Sequence, residues 1–241
     1  MASSDNTAEL PGLPPLPPLP ISVDNDLRKS HGFSEDAQWA IPGSLMQGAR
    51  PGFGLDNTNP AATANQVKEI VQKGKITTFV SLQAECLPEE GSTLLDGGGC
   101  RKPTPKNLPP YWQEVMSAAK DIGMSTPTFL YYGIIGMKTA KSVDSLSIAA
   151  SDLAKRIRLG ETIYVHCGGG VGRAGLMTAC VMGILYKNLT ADAAIQYTTG
   201  LCHLRNMEGK EVKHYSSPET EEQKAQVREF FEKIRGGEVG G

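Results

Sequence analysis

A chain of 241 residues, 39% apolar and 21% charged, has the composition of an ordinary globular domain with one sizeable core. Its formal net charge of -2 and pI near 6.1 exclude a whole-protein basic field of the kind that holds proteins on nucleic acid or anionic lipid, so no nucleic-acid partner is expected. No apolar run approaches the roughly 20 residues that cross a bilayer, the N-terminus lacks the regions of a secretory signal, and the cysteines are widely spaced without a CxxC pair; the expectation is a soluble, cytoplasmic protein without membrane insertion, disulfide framework, metal or cofactor.

Residues 1–22 are read as a disordered proline-rich tail. The run LPGLPPLPPLP, ending at Pro20, cannot enter helix or sheet because proline removes the backbone donor and fixes φ, so it should be extended polyproline II. The recurrence of Pro14 and Pro17 leaves two uses open, a solvated spacer or a ligand for an SH3- or WW-type partner. The globular domain is expected over 23–235. It starts with IPGSLMQGARPGFG, where Gly43, Gly48, Pro51 and Gly52 mark one short strand between turns. Residues 61–73 are predicted as a helix, and ITTFVSL, 76–82, as a β-branched and aromatic strand. The Gly- and Pro-rich stretch 88–110 is predicted as an unstructured loop long enough to be functional.

YWQEVMSAAKDIG reads as a helix closed by Gly123, and TFLYYGII, 128–135, as the next strand. Ser142 should cap a helix with Leu146, Ala149, Ala150 and Leu153 inward, ended by Gly160 and followed by a buried strand, ETIYVHC, over 161–167. Beyond a glycine-rich turn, Leu176, Met177, Cys180, Val181, Ile184 and Leu185 fall at helical spacing with Ala174, Gly175 and Ala179 between them, so this helix should be buried nearly all round. Thr190 should cap a helix carrying Ala194, Tyr197 and Leu201, and Ser217-Pro218 should open a last one with Val227, Phe230, Phe231 and Ile234 inward. Residues 236–241 are read as a flexible Gly-rich tail. Strand and helix alternate throughout, which predicts an α/β fold with a mainly parallel central sheet flanked by helices on both faces.

The segment that carries chemistry is His166-Cys167-Gly168-Gly169-Gly170-Val171-Gly172-Arg173, which joins a buried strand to a buried helix. The glycines allow a tight curl in which successive backbone N–H groups point into one small space, and with the positive end of the helix they make an anion site sized for a phosphate. A thiol at the mouth of that ring is stabilised as thiolate by the same donors, and a thiolate is a good nucleophile toward phosphorus. Arg173 can offer its planar fork to two phosphoryl oxygens. The phosphate would be held by Gly168, Gly169, Gly170, Val171, Gly172 and Arg173. A Walker loop would need Lys and Ser/Thr where Arg173-Ala174 stands, and a Rossmann turn explains neither Cys167 nor Arg173.

This HisCysX5Arg arrangement resembles the signature of protein-tyrosine and dual-specificity phosphatases. The resemblance implies a phosphatase-like fold over the domain, nucleophilic Cys167, transition-state stabilisation by Arg173 and a supporting hydrogen bond from His166. The sequence departs from the family in two places. The loop after the preceding strand, GIIGMKTAKS, has Gly136 where an acid is expected, and among Asp144, Asp152, Asp96 and Glu89 no spacing selects a substitute. Ala174 replaces the hydroxyl residue that commonly follows the arginine. SPETEEQ resembles a segment of compact members in which a glutamine places the attacking water, which leaves Gln223 either aimed inward for that role or a partly exposed helix residue. CGGGVG carries no Lys or Arg, which disfavours polyphosphorylated headgroups. The expectation is a phosphomonoester hydrolase, its substrate a phosphorylated protein ahead of a small molecule. Tyr131, Tyr132 and Trp39 are candidate walls for a phosphotyrosine slot or plain core. The alternative is a catalytically weak phosphate-recognition module.

Overall fold

The computed structural model describes residues 15–20, 27–52, 60–99, 108–205 and 216–236. Six strands form one sheet: β1 (Ala37–Ile41), β2 (Leu45–Ala49), β3 (Thr78–Gln83), β4 (Thr93–Gly99), β5 (Thr128–Ile134) and β6 (Ile163–Cys167). Their order is β1-β2-β6-β3-β5-β4, and every neighbouring pair is parallel except the antiparallel pair β1–β2 at one edge. The helices are α1 (Arg28–His31), α2 (Pro60–Gly74), α3 (Trp112–Asp121), α4 (Val143–Arg158), α5 (Gly172–Leu185), α6 (Ala191–Cys202) and α7 (Glu221–Gly236).

The pleat of the buried strands sorts side chains onto two cores. Ile163 and Val165 of β6, Val80 and Leu82 of β3, and Leu130 and Tyr132 of β5 join α4, α5, α6 and α7 on one face. Tyr164, Phe79 and Phe129, one residue out of phase, meet α2 and α3 on the other. The expected architecture, a mainly parallel sheet with helices on both faces, is therefore the observed one. Every residue of α5 except Ile184 is buried. Its small residues let neighbours approach: a Cβ on Gly183 would stand 2.4 Å from the Phe231 ring of α7. Ser142 caps α4 by accepting from the Ser145 amide, and Thr190 caps α6 by accepting from Ala193.

Several elements differ from the sequence reading. IPGSLMQGARPGFG holds the end of one strand and the whole of the next, because Gly43 at φ +72 turns β1 back on β2. The stretch 88–110 is not structureless: β4 lies within it and pairs with β5, its glycines standing in for the side chains that usually signal a strand. α7 begins at Glu221 rather than at Ser217-Pro218, which forms a bend ahead of it, and runs to Gly236. Tyr131 and Tyr132 are fully buried, bonded to Gln83 and Cys86 carbonyls and to Ser145, so these two are core and not the walls of a slot, while the half-buried Trp39 packs on Phe33 at the edge of the other core. No described helix is long and apolar enough to cross a membrane.

The proline-rich segment also differs. Residues 15–20 have no helix or strand, as expected, but they are not free. Leu16 and Leu19 pack against the core of the α4–α7 face, and the Tyr186 hydroxyl donates to the Pro17 carbonyl at 2.9 Å. Residues 1–14 lie outside the described residues. Two half-buried leucines and one hydrogen bond contribute about 2–3 kcal/mol. Removal of residues 1–20 is accordingly expected to lower Tm by roughly 5–10 °C in a thermal melt, and an unchanged Tm would show that the segment contributes nothing to the domain.

Candidate active site

β6 lies between β2 and β3, with Cys167 beside Ala49 and His166 beside Ser81, so it delivers Cys167 to the carboxyl end of the parallel strands. This is where open α/β sheets place their sites. The chain then curls through Gly168, Gly169, Gly170 and Val171 into α5. The curl is tight enough to exclude side chains: Gly170 has φ +70, and a Cβ there would stand 2.1 Å from the Gly48 backbone.

What shapes the loop is the fate of its carbonyls. The Arg50 amide donates to the Cys167 and Gly168 oxygens at 2.7 and 2.9 Å. The Arg205 guanidinium donates Nη1 to Gly169 O and Nη2 to Gly170 O, at 2.8 and 2.6 Å, and Gln47 Nε2 also reaches Gly170 O. Val171 O accepts from Ser217 Oγ and from the Gly175 amide. Each carbonyl from Cys167 to Val171 is thus held on the outside of the curl. None of the amides from Gly168 to Ala174 donates to an acceptor among the described residues. Together with the start of α5 they leave a run of successive backbone donors without a described acceptor, a feature that suits an anion.

Arg173 is buried on the first turn of α5. Its Nη1 donates to Glu85 Oε2 at 2.6 Å and to Ile134 O at 2.9 Å, and its Nη2 to Glu85 Oε1 at 2.8 Å. Of its five protons, those that Glu85 and Ile134 leave over are on Nε and Nη2, which share one edge of the fork and suit two oxygens of a phosphoryl group. Burial would lower the Arg173 pKa, but the Glu85 carboxylate and the neighbouring Cys167 outweigh it and raise it. Burial pushes Glu85 the other way from its partner, and Arg173 wins, holding the carboxyl below its ordinary range.

His166 is fully buried, its Nε2 2.6 Å from the Tyr111 hydroxyl. Burial, helped by the charge of Arg50, pulls its pKa down to about 3. It is neutral at physiological pH and bonds Tyr111, whose amide in turn donates to Glu89 Oε2 at 2.9 Å. Arg50 closes this network, donating to Glu89 Oε1 at 3.2 Å and to the Pro109 carbonyl at 2.6 Å. One residue, Arg50, therefore ties the loop carbonyls to the scaffold around His166.

The structure places the carboxylates left open by the sequence. Glu89 is buried and caps α3, accepting from the Tyr111 and Trp112 amides as well as from Arg50. Asp144 pairs with Lys233, Asp152 with Arg156 and Asp96 with Lys141. Gly136 stands on the loop after β5, in a place where a Cβ would have nothing within 4 Å. Gln223 is aimed inward, but both ends of its amide are taken: Oε1 accepts from the Glu219 and Thr220 amides and Nε2 donates to Lys138 O at 2.9 Å. It fastens the bend before α7 to the loop after β5 and has no acceptor to spare for water placement. Glu85, Arg50 and Arg205 were not singled out by sequence. Glu85 follows a parallel strand at its carboxyl end, a usable signal; Arg205 offers none, since its partners are 35 residues or more away in the chain.

Arg205→Met leaves the Gly169 carbonyl and Gln38 Oε1 without this donor and the Gly170 carbonyl with Gln47 alone. The variant is expected to lose about 2–4 kcal/mol of stability and roughly tenfold in tungstate affinity, read by thermal melts with and without tungstate. For His166 the sign follows from a folded-state pKa below the unfolded one. Above the ordinary histidine pKa neither state is protonated; below it the unfolded chain takes up a proton that the folded chain refuses, so stability falls as pH drops toward 3. The expected loss between pH 7.5 and 5.5 is on the order of 1 kcal/mol, absent from a His166→Gln variant in chemical denaturation.

Residues 135–227, which contain the whole loop and α5, match the family model described as Swiss Army Knife protein, DSP-PTPase phosphatase domain. The phosphatidylglycerophosphate phosphatase PTPMT1 of Arabidopsis thaliana is 32% identical over 62 residues, covering 26% of this chain and 18% of that protein, so the match spans less than a fifth of the relative. Among solved structures, Tk-PTP in the active form is 17% identical with a TM-score of 0.48 over 79% of this chain and 93% of that one. TpbA of P. aeruginosa is 13% identical with a TM-score of 0.46 over 86% of this chain and 98% of that one. The family model spans the loop that carries Cys167 and Arg173, and over residues 135–227, less than half of its length, the chain is similar to the dual-specificity/protein-tyrosine phosphatase domain.

Proposed function

We propose that this chain is a phosphomonoester hydrolase acting through a cysteinyl-phosphate on Cys167, with a phosphorylated protein as its substrate. The observation that carries the reading is the run of amides from Gly168 to Arg173 that donate to no described acceptor, beside the Nε/Nη2 edge of Arg173 that Glu85 and Ile134 leave over. In the first step the Cys167 sulfur attacks phosphorus and the bond to the leaving oxygen breaks, while the amides and Arg173 take up the charge on the equatorial oxygens. In the second step water attacks the same phosphorus and the sulfur leaves as thiolate. Ala174 brings no hydroxyl to that departure, which slows it relative to family members that have one. A protein-borne phosphate is favoured over a polyphosphorylated headgroup by the absence of Lys and Arg between Cys167 and Arg173.

A singly phosphorylated lipid is the second reading, and one observation favours it. Leu87, just past Glu85, and Ile135 and Met137, just past the Ile134 carbonyl that holds Arg173, are exposed large apolar side chains. An apolar rim of this kind suits a substrate with acyl chains, and the partial match to a phosphatidylglycerophosphate phosphatase points the same way.

Cys167→Ser is expected to abolish turnover of aryl phosphates and to keep tungstate binding within about threefold. Phosphopeptides and vesicles containing a phosphomonoester lipid are then compared by released phosphate. Faster release from peptides supports the protein reading, and faster release from vesicles the lipid one. Tungstate binding without turnover of any substrate by the wild type would make the chain a phosphate-recognition module.

A further inference from the structure

The carboxylates around the loop are committed to cations or amides, with one exception. Glu219, in the bend between α6 and α7, has its backbone bonded to Gln223 and Ser216, while its carboxylate oxygens have no hydrogen-bond or ion-pair partner among the described residues. The side chain lies directly on the phosphate loop. Its Oε2 is 3.0 Å and its Cβ 3.2 Å from the point where a Cβ on Gly172 would stand, so glycine at 172 is what admits it. Gln223 ties the same bend to the loop after β5, accepting from the Glu219 amide at 3.0 Å and donating to Lys138 O at 2.9 Å. Glu219 therefore lies against the residue that precedes Arg173, in a bend that Gln223 fastens to the loop on which Gly136 replaces the expected acid.

A charged carboxylate at this place opposes the binding of a phosphate dianion, by Coulomb repulsion across a half-buried site. A protonated one does not, and a carboxylic acid beside a phosphoryl group is a proton donor to its leaving oxygen. Resting on the cysteine-phosphatase reading above, we propose that Glu219 is the catalytic acid of this chain, in place of the residue missing at Gly136. The Cys167 thiolate forms the S–P bond, the P–O bond to the leaving group breaks, and that oxygen takes the proton of the Glu219 carboxyl. In the second step water forms a P–O bond, gives a proton to the Glu219 carboxylate, and the S–P bond breaks to return thiolate and inorganic phosphate. The proton lost in the first step is the one regained in the second.

The test compares phenyl phosphate, whose leaving oxygen is basic, with dinitrophenyl phosphate, whose leaving oxygen needs no proton. In Glu219→Gln, which keeps the size of the side chain, kcat/KM for phenyl phosphate is expected to fall roughly 10²-fold and that for dinitrophenyl phosphate less than about threefold. The second step needs the base for both substrates, so kcat falls for both. A Cβ at residue 136 meets nothing, so Gly136→Asp added to Glu219→Gln should restore phenyl phosphate cleavage by about tenfold or more, while in the wild-type background it adds little. Tungstate affinity of each variant reports that the loop is intact. Equal losses of kcat/KM on the two substrates, no loss, or a wild type that cleaves only dinitrophenyl phosphate overturns the role of Glu219 and leaves the Cys167 reading standing. A wild type that binds tungstate but cleaves neither substrate overturns both.

Discussion

Turning a run of consecutive carbonyls away from one point is the constraint on which the rest of this structure depends. A backbone left to itself would spend those carbonyls on its own amides, and a ring of free N–H groups would not form. Here the donors come from elsewhere: the Arg50 amide at the end of β2, the Arg205 guanidinium beyond α6, the Gln47 amide of β2 and the Ser217 hydroxyl in the bend before α7. Burying Arg205 is costly, and its cost is offset by the bonds to the two carbonyls and to Gln38 Oε1. The loop is thus shaped by the scaffold, and on the proposed reading its donors are preorganised before an anion arrives, the condition under which such donors act most strongly on a transition state.

The same logic governs the charged side chains. Arg173 is not free to fold over the loop, because Glu85 and the Ile134 carbonyl fix one edge of its fork. That fixation leaves one edge in a defined direction and orders a long side chain in advance, so that on the proposed reading no such entropy is lost on binding. Around His166 the Arg50–Glu89–Tyr111 network does the corresponding work without placing a second titrating group near physiological pH, since burial keeps the imidazole neutral. Each of these carboxylates is neutralised where it stands. Glu219 has no such partner among the described residues, and its position against Gly172 sets it apart for that reason.

Away from the site, the packing of 15–20 on the domain changes how the proline-rich segment is understood. A polyproline strand needs few internal bonds and presents carbonyls at fixed intervals, so a tyrosine hydroxyl and an apolar face suffice to hold it. Tyr186 and the core beneath Leu16 and Leu19 provide both within the same chain. A PxxP-reading partner would therefore compete with an intramolecular contact for this stretch.

Local pattern determined much of this protein. The strands over 76–82, 128–135 and 161–167, the helices capped by Ser142 and Thr190, and the loop from Cys167 to Arg173 were legible because each is signalled by neighbouring residues: hydrophobic period, a cap, or glycines between a cysteine and an arginine. β4 was not, because its glycines hide a strand that exists only by pairing with β5. Nor could sequence separate Glu85, which holds Arg173 from 88 residues away, from the acids at 89, 96, 144 and 152, or show that Gln223 is spent on backbone. Those assignments rest on distances between residues remote in the chain. Chemistry at one loop is written in adjacent residues; which carboxylate reaches it is decided only when the sheet and helices bring separate segments together.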